Sequence, residues 1–523
     1  MKKLFLKAVI LISTLSLTSC KFVNPFEKNS EVNDKENSLN KDLDLTNKLD
    51  AYTYGNDYYR KVLNDSSYMS PTTGEVKALI VPVAFKGQNY DNYGDENTII
   101  NNIDKAFFGN AISTNYWESV SSFYNKSSYQ KMNITGEVTP IYTTKHQLNY
   151  YLELDAADAS NEIGYEFYLS NKSNIDFSQY DSDKDGVVDL MWFVYLNDYL
   201  DNEDFLWAYT YWNSSLVDYY QKLSSSEKKD TYIFYNYSWA SYEFLVKKDL
   251  LNKQIGIDAH TYIHETGHQL GLDDYYSYDD SPASPLGRLD MMDANILDHN
   301  SLSKYNLGWV TPIVGEANQT YTLKPFENNG DCLILASNFN GSCFDEYFLL
   351  EYYTPTGLNE LDSNTRYENN YPYGFSKNGL KILHVDQRVG KFSYVKQGLN
   401  NTLTWDGKFY DEINVDYNAN YFYRILNSNS LRSKYVSNRF NLIELVQASG
   451  RKNLVSTSSI ANKNAENSDL FTDKSLVFGK DVSLPLDDNN SFITNEGWKI
   501  PFSVKISEMN DKGITFTLVE EKN

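Results

Sequence analysis

Cysteine is nearly missing from this chain, with three in 523 residues. That excludes a disulfide-dense scaffold and a cysteine-based zinc fold. Cationic residues are also in deficit: Lys and Arg total 47 against 70 Asp and Glu, a formal charge of −23. Nucleic-acid affinity rests on cationic contacts to phosphate, so no nucleic-acid partner is expected. Long apolar runs are lacking, and none reaches the roughly 18 residues a membrane-spanning helix needs. Histidine is scarce too, but four of the six lie between His260 and His299. What is abundant is aromatic: 15% of the chain, including 44 Tyr. With 41% hydrophobic residues, that content points to a globular chain of two or three domains rather than a disordered one.

The chain opens Met1-Lys2-Lys3-Leu4-Phe5-Leu6-Lys7, runs apolar from Ala8 to Leu17 and ends that run in Thr18-Ser19-Cys20. A charged start and a short apolar stretch read as a secretory signal. Small residues directly before a lone Cys resemble a bacterial lipoprotein signal, which implies that Cys20 becomes the lipidated first residue of the mature chain. The expected location is therefore the extracytoplasmic face of the cell membrane, held there by lipid. Residues 20–72 begin as an Asn-, Lys-, Asp- and Ser-rich stretch that buries little, and read as a flexible tether or a pro-like segment.

The body then alternates. Val76–Phe85 and Leu190–Leu196 are apolar enough for buried strands, and Met132–Val138 reads as a further strand. Ile99, Ile103 and Phe107 lie at helical spacing, and Asn115–Tyr124 reads as a second helix. A long helix is expected from Asp258, an N-cap residue, to Gly271, a C-terminal glycine. Residues 73–310 thus read as an α/β (α+β) domain. After Trp309 short alternating runs separated by polar loops predict a β-rich domain over 311–523, a β-sandwich being the simplest arrangement.

The decisive segment is His264-Glu265-Thr266-Gly267-His268-Gln269-Leu270-Gly271-Leu272-Asp273-Asp274. Residues four apart share a helix face, so His264 and His268 can present two imidazoles to one Zn²⁺. Glu265, beside them, suits a general base that takes a proton from an activated water. Gly271 lets the chain turn back sharply, so that Asp274 can supply a third ligand; the adjacent Asp273 is the alternative.

This motif, followed by Tyr275-Tyr276, resembles the immune inhibitor A family of secreted bacterial zinc metallopeptidases, relatives of the metzincins. Ser119–Tyr124 with Ser128–Lys131, Leu289-Asp290-Met291-Met292-Asp293, His299 with Lys304–Trp309, Glu346–Glu351 and Gly379–Asp386 resemble further segments of that family. The resemblance spans about residues 76–520. It implies a metzincin-like catalytic domain that hydrolyses peptide bonds in proteins or peptides, with Met292 flooring the metal site. The family usually has Pro where Asp273 stands, so the turn into Asp274 is less rigid here. His260 reads as a satisfied helix histidine, with a supporting role near the metal as the alternative. His299 and His384 read as structural. Tyr276 reads as a packing residue, a donor to a developing oxyanion being the other reading.

A second segment, Asp181-Ser182-Asp183-Lys184-Asp185-Gly186-Val187-Val188-Asp189, places acids at loop positions 1, 3, 5 and 9 and glycine at 6. That pattern fits a structural Ca²⁺ held by Asp181, Asp183, Asp185, Asp189 and the Val187 carbonyl; a solvated acidic turn is the alternative. Position 12 is Trp192, so the loop is no EF-hand. Cys332 and Cys343 sit in an expected hairpin of an exported chain, where a disulfide is plausible chemistry; two separate buried thiols are the alternative.

The expected activity is a zinc metalloendopeptidase. Two other classes fit parts of the pattern: a catalytically retired surface binding or adhesion lipoprotein, and a zinc hydrolase acting on another bond. A retired site has little reason to keep Glu265 with both histidines.

Overall fold

The computed structural model describes residues 69–520 apart from 200–203, 250–252, 279–282, 337–338, 369, 398–399, 411–420, 431–440, 457, 459–460, 473–476, 479–494 and 496–501. The expected signal peptide, Cys20 and the tether up to residue 68 lie outside the described residues. The chain divides between Leu272 and Asp273 into two compact units.

In the first unit the apolar runs become the centre of a sheet. Its principal strands are β1 (Gly74–Ala84), β2 (Met132–Val138), β3 (Leu190–Tyr195), β4 (Tyr209–Trp212) and β5 (Asn236–Ser241), in the order β2-β1-β3-β5-β4. Neighbours along β2-β1-β3-β5 run parallel, and β4 lies antiparallel at the edge. All six residues of β3 and of β5 are buried, as parallel strands covered on both faces must be. Four of this unit's helices pack on the sheet: α1 (Glu96–Phe108), α2 (Val120–Ser127), α3 (Ala156–Asn171) and α4 (His260–Gln269).

Alternate strand residues serve opposite faces. Leu79, Val81, Val83, Met191, Phe193, Tyr195, Tyr237 and Trp239 join Ala159, Ile163 and Phe167 of α3 in one core. On the other face Trp192 packs on Phe107 of α1 and Tyr262 of α4, with ring centroids 5.4 and 5.1 Å apart. The tyrosine excess finds its use here. The rings fill cores while the hydroxyls donate to main chain, as from Tyr124 to Ile263 O (2.7 Å) and from Tyr262 to Ser241 O (2.9 Å). Helix α2 starts five residues later than its apolar pattern predicts, because Ser119 and Ser122 form a capping box.

The second unit is rich in strands. A five-stranded sheet contains Cys332–Leu335, Glu346–Tyr353 and Gly379–Asp386; a four-stranded sheet contains Thr320–Leu323, Phe502–Asn510 and Gly513–Glu520. Their apolar residues, among them Leu333, Phe348, Leu350, Ile382, Ile506, Ile514 and Phe516, form one core. The break expected near residue 310 falls earlier. Residues 273–310 bond into the strand-rich unit through Tyr278 N–H to Ser430 O, Leu445 N–H to Pro285 O and Leu297 N–H to the Asp362 carboxylate.

The expected Cys332–Cys343 disulfide is a correction: both residues are free, buried thiols. The pairing of Cys332–Leu335 with Phe348–Glu351 explains it. Cys332 faces Glu351, at the end of the hairpin away from the connection that carries Cys343. Three residues of strand, about 10 Å, separate the two ends.

Candidate active site

Helix α4 lies against the sheet face opposite α3, and its polar residues fix its position. The Gln269 amide donates to Ser238 Oγ (2.7 Å) and Met191 O (3.3 Å) and accepts from Met191 N–H (3.3 Å). Trp192 Nε1 donates to Thr266 Oγ1, which in turn donates to Tyr262 O. These contacts leave the face bearing the two motif histidines no freedom to rotate about the helix axis. The expected N-cap at Asp258 is a correction: the N-cap is Ala259 and the helix begins at His260, while Asp258 accepts from the His260 N–H (3.1 Å) one residue before the cap.

His264 and His268 stand one turn apart with ring centroids 4.9 Å from each other, nearly perpendicular. The chain leaves the helix through Leu270 and turns at Gly271, whose φ of +97° favours glycine. It returns Asp274 to the histidines: one ligand atom from each of His264, His268 and Asp274 lies within 4.8 Å of the others. All three residues are buried, at 4%, 2% and 1% exposure. Asp274 is thus the acid brought to the histidines, and Asp273 is not in the cluster.

The donor set has its own support. His268 Nδ1 lies 2.7 Å from Leu272 O. A carbonyl only accepts, so Nδ1 carries the hydrogen and Nε2 keeps the lone pair a metal needs. Tyr278 donates its hydroxyl to Asp274 Oδ2. Two imidazoles and a carboxylate are a catalytic zinc set with a fourth position to spare, so the residues present fit Zn²⁺.

Glu265 is buried, and its Oε2 accepts from Thr210 Oγ1 of edge strand β4 (2.8 Å). Thr210 in turn lies 2.7 Å from Ser238 Oγ of β5. Met292 is fully buried, and its carbonyl accepts from Tyr275 N–H (2.9 Å), one residue past Asp274. That turn is organised by Asp290, which accepts from Met292 N–H, Asn300 N–H and the Asn300 amide. Burial pushes the Asp290 carboxyl up to about 6.

The remaining histidines and Tyr276 sort by what they touch. His260 stacks on Trp117 at 3.9 Å and places Nδ1 2.8 Å from Asp258. His299 is buried beside Trp309. His384 lies between Glu346 (2.9 Å) and Glu444 (3.1 Å), one at each ring nitrogen. Burial alone would lower its pKa, but those two carboxylates carry it up to about 10, so it is a buried imidazolium. Tyr276 packs its ring on Tyr278, 5.5 Å away. The tyrosine that reaches the His264–His268–Asp274 cluster is therefore Tyr278. Nothing in the motif distinguishes it from its neighbours except its place four residues after Asp274. Thr210 is likewise legible only once β4 is placed beside α4.

In the acidic loop Asp181, Asp183 and Asp185 each bring a carboxylate oxygen within 4.8 Å of the others. Gly186 has φ +89°, and a Cβ there would overlap the Tyr220 hydroxyl. Asp181 accepts from the N–H groups of Asp185 and Gly186, Asp185 from that of Val187, and Asp189 from that of Ser182. Asp189 is not in the three-acid cluster. The side chain of Val187 is buried against Met69, Tyr220 and Ile233. Burial first, then the neighbouring acids, push the carboxyls of Asp185 and Asp189 up to about 8 and 7.

No family model and no curated protein matches the chain. Among solved structures it is similar to wild-type OgpA from Akkermansia muciniphila, at 13% identity and a TM-score of 0.23, covering 73% of this chain and 85% of that one. It is also similar to a catalytically inactive OgpA in complex with an O-glycopeptide, glycodrosocin, at 11% identity and a TM-score of 0.21 over the same shares. Scores this low leave function to be argued from the chain's own residues.

Proposed function

We propose that the protein is a zinc-dependent endopeptidase, anchored by lipid at Cys20 on the extracytoplasmic face of the membrane and acting on proteins or peptides. The observation that carries this reading is the buried convergence of His264, His268 and Asp274 with Glu265 on the same helix. Those three side chains would hold Zn²⁺, which supplies a water acidic enough to lose a proton near neutral pH and polarises a carbonyl. Glu265 would be the general base, accepting a proton from water and returning it to the leaving amine of a peptide bond. The Thr210 hydroxyl holds the Glu265 carboxylate by one oxygen and so orients it. Strand β4, which carries Thr210 and ends the sheet order, offers a backbone ladder on which an extended peptide could align. The reading sits within the immune inhibitor A-like, metzincin-like family that the sequence resembles.

In the same proposal the loop from Asp181 to Asp189 binds a structural Ca²⁺ that steadies the approach to β3. A divalent cation there would relieve the cost of crowding buried carboxylates. The peptidase reading is tested by treating purified protein with a zinc chelator such as 1,10-phenanthroline and following casein cleavage. Cleavage should stop and return when zinc is restored; cleavage that persists without metal overturns it. Anchoring is tested by fractionation: the wild type should partition with membranes, and Cys20→Ala should not.

A further inference from the structure

A third group of metal-type donors lies in the first unit and takes no part in the chemistry above. His146, Glu162 and Glu166 bring one ligand atom each within 4.8 Å of one another. We propose that they form a second divalent-cation site of the zinc class, which ties the chain following β1's short neighbour strand to helix α3. Glu162 and Glu166 are one turn apart on α3, so they share a face. Two carboxylates at that spacing repel, and a helix gains nothing from the pair unless a cation joins them.

His146 is placed independently of the acids. The strand Tyr142–Thr143 pairs with the end of β1, and Thr144 N–H continues that ladder to Ala84 O (3.0 Å). The His146 carbonyl then accepts from Lys86 N–H (3.2 Å) and from Thr144 Oγ1 (2.8 Å). Its imidazole stacks on Tyr150 at 4.0 Å. Each carboxylate is also held. Tyr150 donates to both oxygens of Glu162 (3.0 and 3.2 Å), and Tyr151 donates to Glu166 Oε2 (3.3 Å). Carboxylate oxygens keep further lone pairs after one such bond, so these contacts orient the donors without exhausting them. Among the described residues Lys145 competes for this carboxylate, its ammonium 3.7 Å from Glu166 Oε1 on a side chain that is 56% exposed. It can swing into water when an ion enters.

His146 is exposed and lines a surface cleft with Lys86, Lys145 and Tyr150, so this donor is open to solvent. One imidazole with two carboxylates suits Zn²⁺ and its borderline neighbours rather than Ca²⁺ or Mg²⁺, which prefer all-oxygen sites.

The test is equilibrium dialysis of the full chain against Zn²⁺, with bound metal measured for wild type, His146→Ala, Glu162→Gln and His264→Ala. His146→Ala and Glu162→Gln should each lose one bound zinc per chain and cleave casein as the wild type does. His264→Ala should lose one zinc and the cleavage together, which separates failure at this site from failure of the peptidase reading. As a second measurement, zinc should raise the melting temperature of His264→Ala, and adding His146→Ala should remove that rise. If His146→Ala and Glu162→Gln bind as much zinc as the wild type, or the rise survives His146→Ala, the site is overturned.

Discussion

The cluster of His264, His268 and Asp274 and the loop-borne cluster of Asp181, Asp183 and Asp185 each gather three donors within 4.8 Å of one another, but they are built differently. In the loop, carboxylates accept backbone N–H groups of their own turn, so they shape the loop whether or not an ion is present. Asp183 is exposed to water. In the cluster of His264, His268 and Asp274 all three donors are buried, and the contacts aim donors rather than fold a turn: His268 Nδ1 on Leu272 O, Tyr278 on Asp274. A third arrangement sharpens the contrast. His384 between Glu346 and Glu444 uses the same residue types, yet both ring nitrogens face carboxylates and the ring carries the charge itself. The lesson is that residue type does not make a metal centre. What the ring nitrogens face does.

The comparison breaks most sharply at the third ligand. Asp274→Ala should lose bound zinc and all measurable casein cleavage, whereas Asp273→Ala should keep both; the reverse outcome would move the ligand by one residue. Next in size is the charged histidine. Glu444→Gln leaves a buried imidazolium with one partner and should cost about 3–5 kcal/mol in denaturant unfolding, with zinc content unchanged. The sign of its pH dependence follows from the raised pKa. The contribution of His384 is complete below its ordinary value of 6.5 and is lost as pH rises through about 10. The stability gap between wild type and His384→Gln should therefore narrow from pH 7 to pH 11.

A smaller effect is expected at Tyr278. Tyr278→Phe removes the donor that orients Asp274 and should weaken zinc binding by about 10- to 100-fold, read by competition with a chelating dye. The smallest concerns the loop. With Asp185 and Asp189 raised to about 8 and 7, the cation-free loop is most stable below the ordinary carboxylate value and loses stability as pH rises through those values. Added Ca²⁺ should thus raise the melting temperature more at pH 8.5 than at pH 6. An equal rise at both would show that the loop does not bind it through these acids.

Much of this was legible in the residues, for physical reasons. The strands at Val76 and Leu190 are apolar runs that a parallel sheet buries on both faces, and they read as such; Met132–Val138 also reads as a strand but lies at the end of the sheet order and is only partly buried. His264, Glu265, His268, Gly271 and Asp274 lie within eleven consecutive residues, so helical spacing and one glycine turn were enough to assemble them. The parts that were not legible depend on distant pairings. Thr210 reaches Glu265 only because β4 is the sheet edge beside α4, and Tyr278 is one hydroxyl among 44 tyrosines. The Cys332–Cys343 pair looked close along the chain, but strand register set the two residues at opposite ends of their hairpin. The division at Leu272 was hidden for the same reason, since residues 273–310 carry no strand signal of their own and bond to partners far along the chain, at Asp362, Ser430 and Leu445.

The most direct test measures bound zinc and casein cleavage on the same preparations of wild type and Glu265→Gln. The account predicts equal zinc in both, with cleavage by the variant slower by about 10²- to 10⁴-fold. A wild type that holds no zinc at His264, His268 and Asp274, or a variant that cleaves as fast as the wild type, would contradict it.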